Sequence, residues 1–524
     1  MDTHNILECD VLIIGSGVAG SVAALQLADA GIDVVVVTRS STPEESNTRY
    51  AQGGIIYTGP EDSPKLLAED ITRAGAGYCN PRAVEILAAE GPKLVKSILL
   101  DKIKIPFDKT RKGELSLVRE GGHSIARILH ARDATGSLIE KHLIQAIRSH
   151  PNVTLLTGKT AIDLLTPAHH AINRLTVYDP LTCVGAYLLD QETGGVQRVL
   201  SRATILATGG VGQIFLRTTN PLGARGDGLA MASRAGARTI NCEFVQFHPT
   251  AFYQENGPCF LITEAMRGAG ARLVNHKMEP FMQKYAPEWK DLAPRDVVAR
   301  SIHQEMLANN IPNVFLDIAS YLPADDIKRR FPSVYKMCLQ AGIDISKEPA
   351  PVVPAAHFFC GGVWADEWGR TTLGRLYAIG EVSCTGLHGA NRLASSSLLE
   401  GVVWGHRAAV HIKEGLKKFV KPKPQDFPQW EETGTEYPDA ALISQDMSLI
   451  KNIMWNYTGL VRTVERLQRA IRELRHLESE IQRFYRTVRL TDSILGLRNA
   501  VRSAVTITIA AWENNTSVGC HYRQ

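Results

Sequence analysis

The chemistry in this sequence begins with GSGVAG at Gly15–Gly20. It is set between an apolar run, Val11–Ile14, and a helical pattern through Val22, Ala23, Leu25, Leu27 and Ala28. Gly31 closes that pattern, and a second apolar run follows at Val34–Val37. Strand, glycine turn, helix and strand within about 30 residues form a unit that binds a dinucleotide. Gly15 permits the tight turn, Gly17 lets backbone N–H groups approach a pyrophosphate, and Gly20 lets helix and strand pack closely. The diphosphate then rests on the positive end of the helix. One part of the pattern is missing. Thr38 and Arg39 stand where an acid at the end of the second strand ordinarily holds the ribose. That task passes to hydroxyl or backbone groups, or to an acid elsewhere, with NADP binding through Arg39 as the competing reading. Ala203–Thr208 runs into Gly209 and Gly210, and Leu376–Ile379 runs into Gly380 and Glu381. Read singly, each is a turn after a strand. Read together, they are distant parts of the chain closing over one flavin dinucleotide, with Glu381 in line to supply the absent carboxylate.

These motifs need a large scaffold. The 524 residues exceed one ordinary core, so two to four domains are expected. With 44% hydrophobic and 21% charged residues the chain is a folded protein, which excludes a disordered or collagen-like one. No stretch reaches the roughly 18 uncharged apolar residues of a membrane span, so no membrane anchor is expected. The opening MDTHNILECD lacks the basic start of a secretory signal. A net charge of +4, from 58 basic and 54 acidic residues, is too mild to imply nucleic acid. The nine cysteines are scattered without a CxxC pair. They read as reduced thiols of a cytoplasmic protein, and no metal or iron–sulfur site is expected.

The fold expected is α/β, with a Rossmann-like FAD-binding domain in two parts, 1–239 and 353–420. An α+β capping domain is inserted at 240–352, and a C-terminal helical domain occupies 421–524. The insert is rich in Pro, Gly and polar residues, with helical patterns near Asp296–Leu307 and Ala324–Leu339. A polar stretch from about Lys421 to Pro438, punctuated by Pro422, Pro424 and Pro428, reads as a linker. Beyond it Val464, Leu467, Ile471, Leu474, Leu477 and Ile481 recur at helical spacing. Arginines from Arg462 to Arg486 are interleaved with Glu465, Glu473, Glu478 and Glu480, so they read as a solvated or packing face rather than an RNA surface. Ser395, Ser396 and Ser397 precede an apolar helix start, Leu398–Val403, and read as N-caps. A helix end there stabilises negative charge on a flavin.

Further motifs follow GSGVAG in order: AQGG at Ala51–Gly54, EFVQFHPT at Glu243–Thr250 and LITEAMRGAG at Leu261–Gly270. PRDVVAR at Pro294–Arg300, AIGE at Ala378–Glu381 and HGANRLASSSLLE at His388–Glu400 complete the series. From about Cys9 to beyond Arg498 the chain resembles the succinate dehydrogenase/fumarate reductase flavoprotein family. The resemblance implies FAD held between the flavin domain and the cap. It assigns Gly15, Ser16, Gly17, Val18, Ala19 and Gly20 to the pyrophosphate loop. Arg39, Asn47, Thr48, Arg49, Tyr50, Ala51, Gln52, Gly53 and Gly54 wrap the adenosine and flavin side, and Asp227, Glu381, Ser397 and Leu398 complete the site. Asn47 stands where respiratory members carry the histidine bonded to the flavin, so the FAD is expected to be non-covalent.

For the substrate, the resemblance implies His248, His357 and Arg392 as dicarboxylate ligands, with Gln246, Thr263 and Glu264 lining the pocket. Arg295 becomes the proton donor or acceptor. A guanidinium pKa above about 12 needs help in that role, and Glu264 with Arg267 offers a relay. Glu120, in REGGHS, replaces the apolar residue of relatives that act on dicarboxylates alone. A carboxylate there gives an ammonium group its partner, whereas beside a bare dicarboxylate it costs several kcal/mol at low dielectric. The plain alternative for Glu120 is a surface-loop acid, and His123 and His130 read as structural.

The activity implied is FAD-dependent oxidation of L-aspartate to iminosuccinate. The flavin is reoxidised by O2, giving H2O2, or by fumarate, giving succinate. The product feeds quinolinate synthase in a cytoplasmic pathway of NAD biosynthesis. Competing readings are a soluble fumarate reductase, an RNA-binding flavoprotein and a non-catalytic scaffold. One departure stands out: Val518 occupies the arginine position of the family's Ser-Arg-Gly-x-His pattern, and the chain stops soon after His521. That places the integrity of the helical domain in question.

Overall fold

The computed structural model describes residues 6–255, 257, 259–432 and 434–524. The N-terminal unit consists of β1 (Ile6–Ile14), α1 (Val18–Ala28) and β2 (Val34–Val37). All four valines of β2 are buried, as a parallel strand covered on both faces requires. β1 extends upstream of its apolar run because Ile6–Cys9 pairs along the strand Val196–Leu206. Gly15 adopts φ 117°, and a Cβ there would lie 2.0 Å from the Ala207 carbonyl oxygen, so this turn admits glycine alone. Gly20 lies beneath the loop, packed on Gly15.

Five strands run parallel in the order Val153–Leu156, β2, β1, Val196–Leu206 and Leu376–Ala378. Gly185–Asp190 and Lys159–Leu165 extend this sheet with antiparallel pairing. Ile14, Leu206 and Ala378 lie in register across three adjacent strands. The three glycine-bearing turns therefore emerge side by side at the carboxyl edge, where open α/β sheets bind ligands.

The chain between the last two of these strands builds a second, four-stranded antiparallel sheet. Its order is Val245–Phe252, Ala350–Phe359, Val314–Asp317, Arg272–Val274. With the helix Arg295–Asn309 it encloses its own core, including Phe252, Met266, Leu273, Val298, Ile302 and Val352. The strand Ala350–Phe359 runs across position 352 and so carries His357 from the insert back to the cofactor sheet. The second helical pattern divides into Ala324–Arg330 and Pro332–Gln340 at Phe331. A residue before proline is pushed out of helical geometry.

Three helices follow: Ala440–Tyr457, Val464–Thr487 and Asp492–Glu513. Leu467, Leu474, Leu477 and Ile481 form the buried stripe of the second, and Arg469–Glu473 and Arg483–Glu480 pair on its outer face. Arg462 is different from that row. It precedes the helix and is fully buried. Asp492–Glu513 is long and apolar enough to cross a membrane by length and composition, yet 72% of its apolar window is buried inside the protein. The stretch after Lys421 is docked rather than loose. Phe427 is buried, Arg198 donates to the carbonyls of Pro424 and Phe427, and the Tyr187 hydroxyl donates to the carbonyl of Pro428.

Candidate active site

One cavity runs from the carboxyl edge of the large sheet to the insert, with about 1810 Å³ of empty space within its walls and mouth. At the sheet end Gly15, Ser16, Gly17, Val18 and Ala19 line it, with Asn47, Thr48, Tyr50, Ala51, Gln52, Gly53 and Gly54 opposite. Asp227, Glu381, Ser397 and Leu398 also reach its wall. Arg49 does not line the cavity; it pairs with Glu45 at 3.3 Å on the surface. Arg39 lines the cavity, but its Nη1 lies 3.0 Å from Asp492, on the last helix. A charge met within the protein leaves no ground for reading Arg39 as the ligand of an extra phosphate. Lys159, Thr160 and Ala161 line this end too, and no motif in the sequence marks them.

The strand order corrects the expectation for Glu381. It follows a strand three places from β2, about 14 Å across the sheet. The residue therefore stands mid-cavity and does not replace the acid missing after Val37. It accepts hydrogen bonds from Asn47 Nδ2 and, at 3.0 Å, from the Phe359 N–H. Burial raises its carboxyl to about 7.

Of the three serines only Ser395 precedes the helix Ser396–Gly415, and its side chain does not cap it; Ser396 and Ser397 already lie in the first turn. Ser395 is left-handed, at φ 57° and ψ 9°, where capping needs extended backbone. Its Oγ accepts from the Gly54 N–H at 3.2 Å and donates to Glu120 Oε2. Ser396 Oγ donates to the Leu393 carbonyl at 2.7 Å. The first-turn N–H groups thus receive no side-chain cap, and this positive helix end sits at the cavity wall. Buried polar atoms without a partner among the described residues gather nearby: Asn47 Oδ1, Gln52 Oε1 and Thr208 Oγ1. A glycine cradle on α1, free acceptors along the middle and a second helix end at the far side fit the diphosphate, hydroxylated chain and electron-accepting ring of FAD.

At the insert end, Glu120, His248, Thr263, Glu264, Arg295, His357 and Arg392 share the wall. His248 and His357 stand on neighbouring antiparallel strands, with ring centroids 5.1 Å apart. Thr263 caps the short helix that Glu264 opens. Arg295 opens the helix Arg295–Asn309, where the dipole disfavours a cation. Glu264 offsets this, with its Oε2 2.7 Å from Arg295 Nε and its Oε1 3.7 Å from Arg267. Burial alone would raise the Glu264 carboxyl, but Arg295 and Arg267 hold it down at about 2.

Gln246 lies behind the wall rather than on it. Its Nε2 donates to Asn391 Oδ1 at 2.7 Å and to the Arg392 carbonyl at 2.9 Å, and its Oε1 accepts from Arg295 Nη1 at 3.2 Å. One buried amide therefore ties the two arginines together. The Arg392 guanidinium lies 4.6 Å over the Phe358 ring, and its Nε has no partner among the described residues. Burial, with Arg295 alongside, lowers it to about 10, so it stays charged at neutral pH.

The imidazoles are neutral donors. The Thr250 N–H donates to His248 Nδ1 at 3.2 Å, which places the ring proton on Nε2, a buried atom without a partner among the described residues. Thr219 Oγ1 lies 2.8 Å from His357 Nδ1. Burial and the nearby arginines push both rings well below the ordinary histidine range. Burial raises the Glu120 carboxyl; the Ser395 hydroxyl opposes that shift and Glu264 adds to it. His123 bonds the Ala394 carbonyl at 3.0 Å and His130 sits 3.2 Å from Asp108, both away from the cavity. Among the described residues no group of three or more His, Cys, Asp or Glu side chains is arranged to hold a metal ion.

A dinucleotide sheet opening onto a pocket of guanidinium and imidazole groups defines a flavoprotein built for small acids. Comparison with known proteins agrees. The FAD binding domain family matches residues 10–398, and the fumarate reductase flavoprotein C-terminal family matches residues 447–524. The chain is 42% identical over 520 residues to L-aspartate oxidase 1 of Ralstonia nicotianae, covering 98% of this chain and 95% of that one. It is also 42% identical to the L-aspartate oxidase of Yersinia pestis, over 98% of this chain and 95% of the other. Among solved structures, a variant of the E. coli quinol fumarate reductase FrdA superposes with a TM-score of 0.90 at 27% identity, covering 99% of this chain and 92% of that one. The chain belongs to the succinate dehydrogenase/fumarate reductase flavoprotein family, in its L-aspartate oxidase branch.

Proposed function

We propose that this protein oxidises L-aspartate to iminosuccinate with non-covalently held FAD. The observation that carries the reading is Glu120, whose partner is the Ser395 hydroxyl, in a pocket it shares with Arg295, Arg392, His248, His357 and a second carboxylate, Glu264, that Arg295 and Arg267 already pair. Succinate and fumarate offer two carboxylates and nothing for Glu120 to bind. Aspartate offers an ammonium group as well, which gives Glu120 an ionic partner.

Arg392 and the Nε2–H of His248 receive carboxylate oxygens, helped by His357. Neutral imidazoles donate without adding charge to a site that already holds two guanidinium groups. Glu120 pairs with the ammonium and turns the Cα–H bond toward the sheet end of the cavity, where bound FAD supplies the two-electron acceptor. Arg295 is the proton-handling group. Its Nε–H rests on Glu264, which the paired arginines keep ionised, and Arg267 continues this chain of groups inward. The division at 239/240, 352/353 and 420/421 belongs to the same reading. The insert supplies His248, Thr263, Glu264 and Arg295, and the returning segment supplies His357 and Arg392.

In this reading fumarate or O2 reoxidises the flavin, and the reactive imine passes to quinolinate synthase in a cytoplasmic route to NAD. The test is direct. Purified yellow protein is treated with acid, and L-aspartate and succinate are assayed as electron donors with and without fumarate. Release of all flavin into the supernatant and turnover of aspartate alone are expected. Flavin in the precipitate, or turnover of succinate but not aspartate, overturns the reading.

A further inference from the structure

The segment containing Val518, the residue that departs from the family pattern, folds back onto the loop that carries Arg392. The Cys520 N–H donates to the Ala390 carbonyl at 2.9 Å, and Cys520 Sγ donates to Asn391 Oδ1 at 3.3 Å. Gly519 takes φ 52°, and a Cβ on it would lie 2.5 Å from Ala390 O. Arg300 Nη1 donates to the Gly519 carbonyl at 3.0 Å, while its Nη2 reaches Asp296 at 2.8 Å. Asp296 in turn accepts from Asn391 Nδ2 at 3.2 Å. Val518 packs on the cluster of Phe244, Phe358, Cys360 and Ala390. Phe358 is the ring on which the Arg392 guanidinium rests.

The far end of this segment is anchored in the interior. Buried Arg462 Nη1 donates to His521 Nδ1 at 2.6 Å and to the Glu243 carbonyl at 2.8 Å. Its backbone N–H bonds the Tyr522 carbonyl at 3.0 Å, and Gln524 N–H bonds the Arg462 carbonyl at 2.8 Å. Beyond its contact with the Phe358 ring, the Arg392 guanidinium has only two hydrogen bonds among the described residues, both long, to the Leu393 carbonyl at 3.4 Å and to Ser397 Oγ at 3.3 Å. Its placement is therefore set by what packs behind its loop.

We propose that Val518–His521 is a positioning strap for the dicarboxylate pocket. It fixes Ala390–Arg392, and through Asn391 and Gln246 it sets the spacing between Arg392 and Arg295. The strap touches Ala390 and Asn391, the residues just before Arg392, and does not line the cavity. The proposal rests on the reading of that pocket as a dicarboxylate site. A carboxylate held by a guanidinium displaced by even about 1 Å loses much of its binding energy.

The test uses the full-length, FAD-loaded protein and the Gly519→Ala variant, whose added methyl pushes the strap off Ala390. Succinate is titrated against the flavin absorption spectrum to obtain its Kd, and aspartate oxidation and fumarate reduction are measured in the steady state. We expect succinate Kd and both KM values to rise about tenfold, with kcat falling less than about threefold. FAD content and Tm stay near those of the parent. Cys520→Ala is expected to weaken succinate about threefold, and Cys520→Ser, which keeps a donor to Asn391, to restore it. An unchanged succinate Kd in Gly519→Ala, or a loss that only tracks lost FAD, overturns the strap. Should that variant fail to fold, equal succinate affinity in the two Cys520 variants overturns it instead. If the parent protein neither binds succinate nor oxidises aspartate, the pocket reading falls, and the strap with it.

Discussion

The two ends of the cavity recognise their partners with different parts of the chain. At the sheet end the wall is backbone and small polar groups, drawn largely from Gly15–Ala19 and Asn47–Gly54. At the insert end it is charged and imidazole side chains from separate segments, Glu120, His248, Glu264 with Arg295, and His357 with Arg392. The first kind of recognition is set by where the backbone can go, so an added methyl group is its weak point. The second is set by which charges have partners, so a lost charge is its weak point.

Arg392→Leu should have the largest effect. Removing a buried cation that a carboxylate needs is expected to lower kcat/KM by roughly 10³-fold for both aspartate and fumarate, with FAD content unchanged. Substantial fumarate reduction by this variant would show that charge pairing does not govern the insert end. Gly15→Ala makes the opposite cut. With the Ala207 carbonyl in the way, FAD affinity, read by flavin fluorescence on titration, should fall about 100-fold, and adding FAD in excess should recover aspartate turnover.

Glu120→Gln sharpens the contrast within the pocket. Loss of one charge-assisted contact should cost aspartate oxidation about 30-fold in kcat/KM, while fumarate reduction changes by less than about threefold. Equal losses in both assays would remove Glu120 from amine recognition.

The smallest effect tests the sheet end by pH. Ser46, on the cavity wall, donates to Glu140 Oε1 at 2.8 Å, and burial raises the Glu140 carboxyl to about 8 despite that bond, with Glu44 adding to the shift. Between about 4.5 and 8 the folded protein keeps a proton that the unfolded chain has lost. The stabilisation is therefore complete below about 4.5 and disappears as pH rises through 8. Glu140→Gln should match the parent Tm at pH 5 and exceed it by roughly 2 °C at pH 9; equal Tm values at both would show that the side chain does not titrate there.

The same contrast explains what the sequence reveals. The unit Val11–Val37 is legible because strand, turn and helix are close neighbours and Gly15 has no substitute at its φ. Glu381 is visible as a strand-ending acid, but its distance from Thr38 depends on which strands become neighbours, and that order is written nowhere locally. Ser395–Ser397 look like caps, but the left-handed turn at Ser395 turns their hydroxyls toward Glu120 and Leu393 instead. The catalytic candidates carry no local signal singly. His248, Arg295, His357 and Arg392 gain meaning only from a set of motifs in order, and Gln246 is indistinguishable by sequence from a wall residue although it braces two arginines from behind. Lys159–Ala161 belong to an ordinary antiparallel strand and give no sign of the cavity beside them. Arg462 resembles its exposed neighbours in composition and differs only in what folds over it.

The placement of Leu376–Ala378 beside Val196–Leu206 has a further consequence, for the order in which the protein becomes complete. β1 and the glycine turn leave the ribosome first, but the far side of their cavity is made by Gly380–Gly401. At about 5–20 residues per second, roughly 20–80 s separate the two during synthesis. A nascent chain therefore carries a half-built cradle through those seconds, and FAD finds a full set of walls only after Gly401 has been made. A complete seat for the cofactor therefore waits on the pairing of Leu376–Ala378 with Val196–Leu206, not on the N-terminal unit alone.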